Sequence, residues 1–248
     1  MAPIAPKKED FKPTEQQTTT LIIIGIYIVV ILIFWNVKYL KTILWPFKIF
    51  TVGLHELSHA IAGKLTGAKI ESIKIDADEG GCCTMRGGKQ WITLPAGYIG
   101  SSLFGALMIF CGFNEMASKI CAVVICVCML LLLWYAKNWI VRIITVCFVA
   151  LIGLMWYLEG AKYLIYFVLF LGVMSCFYSL WDIIEDVVLH KINESDASKF
   201  AKLLCHGCMP AQVWGFFWFI YSFVFLVLAI VLAIFTFRDR DNNPDTMF

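Results

Sequence analysis

The chain has 248 residues, of which 60% are hydrophobic and 15% charged, with a mean hydropathy of +0.80. Soluble domains carry about 25% charged residues, so this is the composition of an integral membrane protein with no room for a large soluble domain. The formal net charge of +2 comes without a dense basic block, which excludes the usual footprint of a nucleic-acid-binding protein.

Residues 1–17 are polar, with Pro3, Pro6 and Pro13 among Lys7, Lys8 and Lys12. They read as a disordered N-terminal tail. A bilayer core is crossed by about 20 apolar residues in a helix, and residues 18–36 meet that length. This run shows no small-residue cleavage pattern and reads as a retained anchor. The next apolar run, 43–63, has Pro46 in its expected first turn, where a missing N–H costs little.

Polarity returns over 64–91. Within it Ile70-Glu71-Ser72-Ile73-Lys74-Ile75 alternates as a strand does, and Gly80-Gly81 and Gly87-Gly88 mark turns. A small β-hairpin at the membrane surface is expected there. Apolar runs resume at 93–113, 118–136, 139–157 and 162–180. A polar helical segment covers 181–206, with Asn193 or Ser195 as the cap of a new helix. A last span covers 211–237, before a flexible tail over 238–248.

The pattern predicts an all-α polytopic membrane protein of about six to seven transmembrane helices. It forms one domain over 18–237, without internal repeats. The count turns on Lys137-Asn138, a break of only two residues. With seven spans, the excess of Lys and Arg falls on the N-terminal side, which places the N-terminus and the hairpin in the cytosol.

The ten cysteines do not form a disulfide framework. Cys111, Cys121, Cys126, Cys128, Cys147 and Cys176 sit in apolar runs, where cysteine behaves as a small hydrophobe. Cys82 and Cys83 are neighbours and do not bridge each other. Cys205-His206-Gly207-Cys208 has metal or redox spacing, but one such pair reads as free thiols.

His55-Glu56-Leu57-Ser58-His59 lies within the second apolar run. Histidines four apart on a helix share a face and can grip one zinc ion. The intervening glutamate can take a proton from a metal-bound water and pass it to a leaving amine. The bland reading is a surface helix with its polar face in water. Two imidazoles and a carboxylate within five residues of an apolar span argue against it. Zinc is therefore the expected cofactor, with His55 and His59 as ligands and Glu56 as general base.

A catalytic zinc takes three protein ligands and leaves one position for water. His190 and His206 are candidates, but both lie in the polar segment. The stretch Ser179-Leu180-Trp181-Asp182-Ile183-Ile184-Glu185-Asp186 closes an apolar run. Asp182, nearest the membrane, is the expected third ligand. Asp186, one turn later on the same face, is the alternative. Small residues at 97, 101 and 105 would admit a close helix neighbour. The zinc helix, with Gly53, Ala60 and Gly63, is the expected partner.

The sequence resembles the site-2-protease type of intramembrane metallopeptidase, in its compact B-like branch. The likeness runs through His55-Glu56-Leu57-Ser58-His59-Ala60, Leu65-Thr66-Gly67-Ala68, Gly80-Gly81, Arg86-Gly87-Gly88 and Leu94-Pro95-Ala96-Gly97-Tyr98-Ile99-Gly100-Ser101. It continues at Trp181-Asp182 and Asn193-Glu194-Ser195-Asp196-Ala197. The resemblance implies a core of transmembrane helices with a small β element after the zinc helix. It also implies cleavage of membrane-embedded protein substrates by metal-activated water. His55 and His59 carry over as ligands and Glu56 as the catalytic carboxylate. The family's aspartate ligand follows an Asn-Pro pair and sits in Leu-Asp-Gly, a context absent around Asp182.

Two other classes are compatible with parts of the pattern. A metal or proton transporter would need polar residues inside several spans, and 93–113, 118–136 and 162–180 have almost none. A catalytically silent scaffold or chaperone on a protease fold differs only in activity.

Overall fold

The computed structural model describes residues 12–78, 80–187, 195–205 and 209–241. Eight α-helices and one two-stranded sheet run in the order α1 (Glu15–Asn36), α2 (Lys41–Leu65), β1 (Lys69–Ile75), β2 (Gly81–Arg86), α3 (Gln90–Cys111), α4 (Glu115–Tyr135), α5 (Trp139–Tyr157), α6 (Leu164–Val187), α7 (Asp196–Cys205) and α8 (Ala211–Asp241). Among the described residues, six helices are long and apolar enough to cross a membrane: α1, α3, α4, α5, α6 and α8. The protein is an integral multi-pass membrane protein.

The first helix starts earlier than the apolar run alone suggests. Thr14 Oγ1 accepts a hydrogen bond from Gln17 N at 3.2 Å, and Gln17 Oε1 accepts one from Thr14 N at 3.1 Å. This reciprocal cap satisfies two amides that a helix start leaves open. Gln17 Nε2 also donates to the Ile234 carbonyl on α8 at 3.0 Å. Residues 15–17 thus belong to α1. Residues 1–11 of the expected tail lie outside the described residues.

The seventh expected span is α2, which is not among those six. Its 25 residues include Lys41, Lys48, His55, Glu56, His59 and Lys64, which lower its apolarity. It packs instead against α1, α3, α4, α5, α6 and both strands. Helix α2 starts two residues before the expected point, so Pro46 falls in its second turn. Lys48 is buried, with its ammonium 4.0 Å from the Trp35 ring centroid, a cation–π contact.

The hairpin is antiparallel, with a register shift between Ile70 and Ser72. That shift answers the sequence. Ile70 and Ile73 are three apart and would face opposite sides of a regular strand. A bulge inserts one residue and restores the phase, so Ile70, Ile73 and Ile75 are all buried. A Cβ added to Gly53 would meet Leu132 and Ile75, and one added to Gly63 would meet Met85 and Ile70. These glycines let the hairpin and α4 approach α2. They do not serve the α3 contact expected of them.

The hairpin is further tied to the α4–α5 link. Ile73 bridges Ala136, and Lys137 N donates to Ile73 O at 3.2 Å. The two-residue break at Lys137-Asn138 is therefore a backbone pairing site between two helices. The α3 stripe also divides its contacts. Gly97 and Gly100 face α2, whereas Gly105 faces Cys176 and Gly172 on α6. Ser101 and Ser179 share a buried hydroxyl hydrogen bond at 2.7 Å.

Candidate metal centre

His55, Glu56 and His59 sit in the second half of α2, opposite the short helix α7. The Ser195 hydroxyl caps α7 by accepting from Ser198 N at 3.2 Å, as a serine at the N-cap should. Asp196 is therefore the first helical residue. Behind it, Ala197 and Phe200 join Tyr98 of α3, Ile183 of α6 and Trp218 of α8 in one buried cluster. The Phe200 ring lies 4.8 Å from that of Trp214 and 5.5 Å from that of Trp218. This packing holds α7 against the bundle and aims Asp196 at α2.

Asp196 Oδ2 lies 3.1 Å from His55 Nε2 and 2.9 Å from His59 Nε2. The two Nε2 atoms are 3.0 Å apart. The three side chains are 12%, 8% and 17% exposed for His55, His59 and Asp196. His55 and Asp196 are 141 positions apart in sequence. Burial by itself raises the Asp196 carboxyl. The neighbouring His59, with hydrogen bonds from both imidazoles, outweighs that and holds it well below the usual carboxylate range.

The donor set fits zinc. His59 Nδ1 is 2.7 Å from the Thr93 carbonyl oxygen. A carbonyl only accepts, so Nδ1 carries a proton, and Nε2 is the nitrogen that can offer a lone pair to a metal in place of its hydrogen bond to Asp196. Nε2 faces a carboxylate oxygen and a second imidazole nitrogen. Three such atoms converge where a shared proton or a metal cation can hold them. Tetrahedral zinc, with bonds of about 2.0–2.1 Å, spaces its ligand atoms by about 3.3 Å, near the triangle found here. Among the described residues, these three form the group of metal-competent side chains.

Glycines shape the surroundings. A Cβ at Gly97 would overlap Nε2 of both His55 and His59, and one at Gly81 would overlap Glu56 Oε1. The T-shaped contact of Tyr98 with His55, at 4.9 Å between ring centroids, closes one side. Glu56 is 5% exposed and borders a cavity of about 360 Å³ with the two histidines, Asp196, Lys199 and the start of β2.

The profile of the peptidase M50B-like family matches residues 24–229. The protein belongs to the peptidase M50B-like family. This span takes in α2, the hairpin and α7, hence every side chain of the cluster. No curated protein and no solved structure matches the sequence.

Within this M50B-like fold, the sequence-expected His55, Glu56 and His59 meet at one cavity. Among the described residues, the carboxylate that joins the two histidines is Asp196. Asp182 lies on α6 by its backbone, but its side chain, like that of Asp186, falls outside the described residues, as do His190 and His206. Sequence reasoning misses Asp196 because it stands in a polar segment, where a solvated helix-start residue is the ordinary reading. Its signal is the periodicity of α7. Ala197, Phe200 and Ala201 are buried, and Asp196 is one turn before Phe200 on that inward stripe.

Proposed function

We propose that this M50B-like protein is a zinc metallopeptidase that hydrolyses peptide bonds of membrane-associated proteins. The observation that carries the reading is the triangle of His55 Nε2, His59 Nε2 and Asp196 Oδ2, with the Glu56 carboxylate beside it in a shared cavity. In this proposal the third ligand moves from the expected Asp182 to Asp196.

His55, His59 and Asp196 hold the metal. When bound, zinc supplies Lewis-acid activation of water and polarises the scissile carbonyl. The Thr93 carbonyl keeps His59 in the tautomer that offers Nε2. Glu56 takes the proton of the attacking water and delivers it to the amine nitrogen as the C–N bond breaks. Its burial between α2 and β2 limits competing solvent, and Gly81 leaves its carboxylate room. The ring of Tyr98 and the α7 packing keep the two halves of the site in register.

The test is to purify wild type and Glu56→Gln, measure zinc in each, and follow cleavage of membrane-anchored reporter proteins. About one zinc per protein molecule in both, with cleavage lost only in the variant, supports the reading. Zinc-loaded wild type that cleaves no better than Glu56→Gln on any reporter overturns it in favour of a silent protease fold.

A further inference from the structure

The cavity beside Glu56 has one charged wall that the hydrolytic chemistry leaves unused. Lys199 lies one turn beyond Asp196 on α7, so the two side chains emerge on the same face. Among the described residues, it is the single Lys or Arg lining this cavity. It is exposed and forms no ion pair with the described residues. Its charge lies within electrostatic reach of Glu56. Asp76, just past the end of β1, lines the cavity from the hairpin, so Lys199 is its one cationic side chain among the described carboxylates Glu56, Asp76 and Asp196.

An oxyanion-stabilising donor is held rigidly in a dry site. A solvated lysine on the cavity wall suits a different task, pairing with a charge that the substrate brings. We infer that Lys199 is a specificity-determining residue that receives a substrate carboxylate beside the scissile bond. The carboxylate comes from an Asp or Glu side chain or from the substrate's free C-terminus. This rests on the peptidase reading. It adds a substrate class, acidic on the α7 side of the cleft, and a fixed direction for the bound substrate.

The experiment uses the full-length zinc-loaded protein and one peptide scaffold with Glu, Gln or Lys at each position flanking the scissile bond. A second pair ends in a free acid or an amide. Cleavage by wild type and binding to Glu56→Gln are both measured, so the binding arm decides even without turnover. The expected result is a preference of about twofold to fivefold for the acid over its neutral partner at one position, the upper range of a solvated ion pair. An internal Glu preference names the side chain, and a free-acid preference names the C-terminus. Lys199→Glu should invert the preference toward Lys, and Lys199→Arg should keep it, with zinc content equal in all three proteins.

Equal binding and cleavage of Glu and Gln peptides by wild type overturns the inference while leaving the peptidase reading in place. So does a Lys199→Glu protein that loses all substrates in parallel, which would assign Lys199 to support of Glu56. Absent cleavage with the acid preference still present in binding instead counts against the peptidase reading alone.

Discussion

The proton on His59 Nδ1 is held by the main-chain oxygen of Thr93, 2.7 Å away at the start of α3. The orienting group for one proposed metal ligand is thus backbone, fixed by the course of a helix. Thr93→Val should therefore bind zinc as wild type does, because the carbonyl remains. Gly97→Ala, one turn further along α3, should lower zinc affinity by at least about tenfold, the scale of losing a ligand's support, because its methyl overlaps both Nε2 atoms. Metal titration of the two purified variants checks this pair. Zinc loss in Thr93→Val would show that the side chain matters.

Asp196 and Asp182 are separated by one comparison. Asp196→Ala should lose stoichiometric zinc while Asp182→Ala keeps it. The reverse pattern would return the third ligand to α6. Metal content should be read beside thermal stability, so that unfolding is not taken for ligand loss.

Gly81 stands against Glu56, not against the proposed metal ligands. Gly81→Val should abolish most cleavage and leave zinc near one per protein molecule, the opposite of Gly97→Ala. Wild-type cleavage by Gly81→Val would mean that Glu56 moves freely and that its packing under β2 is unimportant.

Phe200 acts on the proposed metal site only through α7. Truncation of a buried aromatic costs about 3–5 kcal/mol. In Phe200→Ala, part of that loss should fall on the seating of α7, giving a lower melting temperature and weaker zinc binding together. Added zinc should restore part of the thermal stability, since a ligand that binds only the folded form stabilises it. A variant that melts early yet binds zinc normally would uncouple Asp196 from this cluster.

Much of this architecture is legible because apolar length and the spacing of two histidines are local signals. The spans of α1, α3, α4, α5, α6 and α8 follow from runs that match a bilayer, and Ser195 as a helix cap follows from its residue type. What the sequence does not display locally is which distant residue faces His55. Asp182 and Asp196 are both aspartates in a polar stretch, and nothing local in the sequence ranks them by closeness to His55 in space. The role of α2 is blurred for a related reason. Its polar residues serve the site and the interior, so a helix at the centre of the bundle has less apolar signal than those outside it. The glycines mislead similarly. Gly53 and Gly63 suggest a helix partner, but their partners include a bulged hairpin whose register depends on packing.

Ribosomes make proteins from the amino end, and the separation of 141 positions between His55 and Asp196 then acquires a temporal meaning. A growing polypeptide exposes its two imidazoles and Glu56 long before Asp196 is synthesised. The aromatic clamp that seats Asp196 is finished only when Trp214 and Trp218 of α8 arrive. On the proposed peptidase reading, a chain cut off before α7 would hold both imidazoles and Glu56 without the third ligand, so hydrolytic competence would arrive only with the end of synthesis.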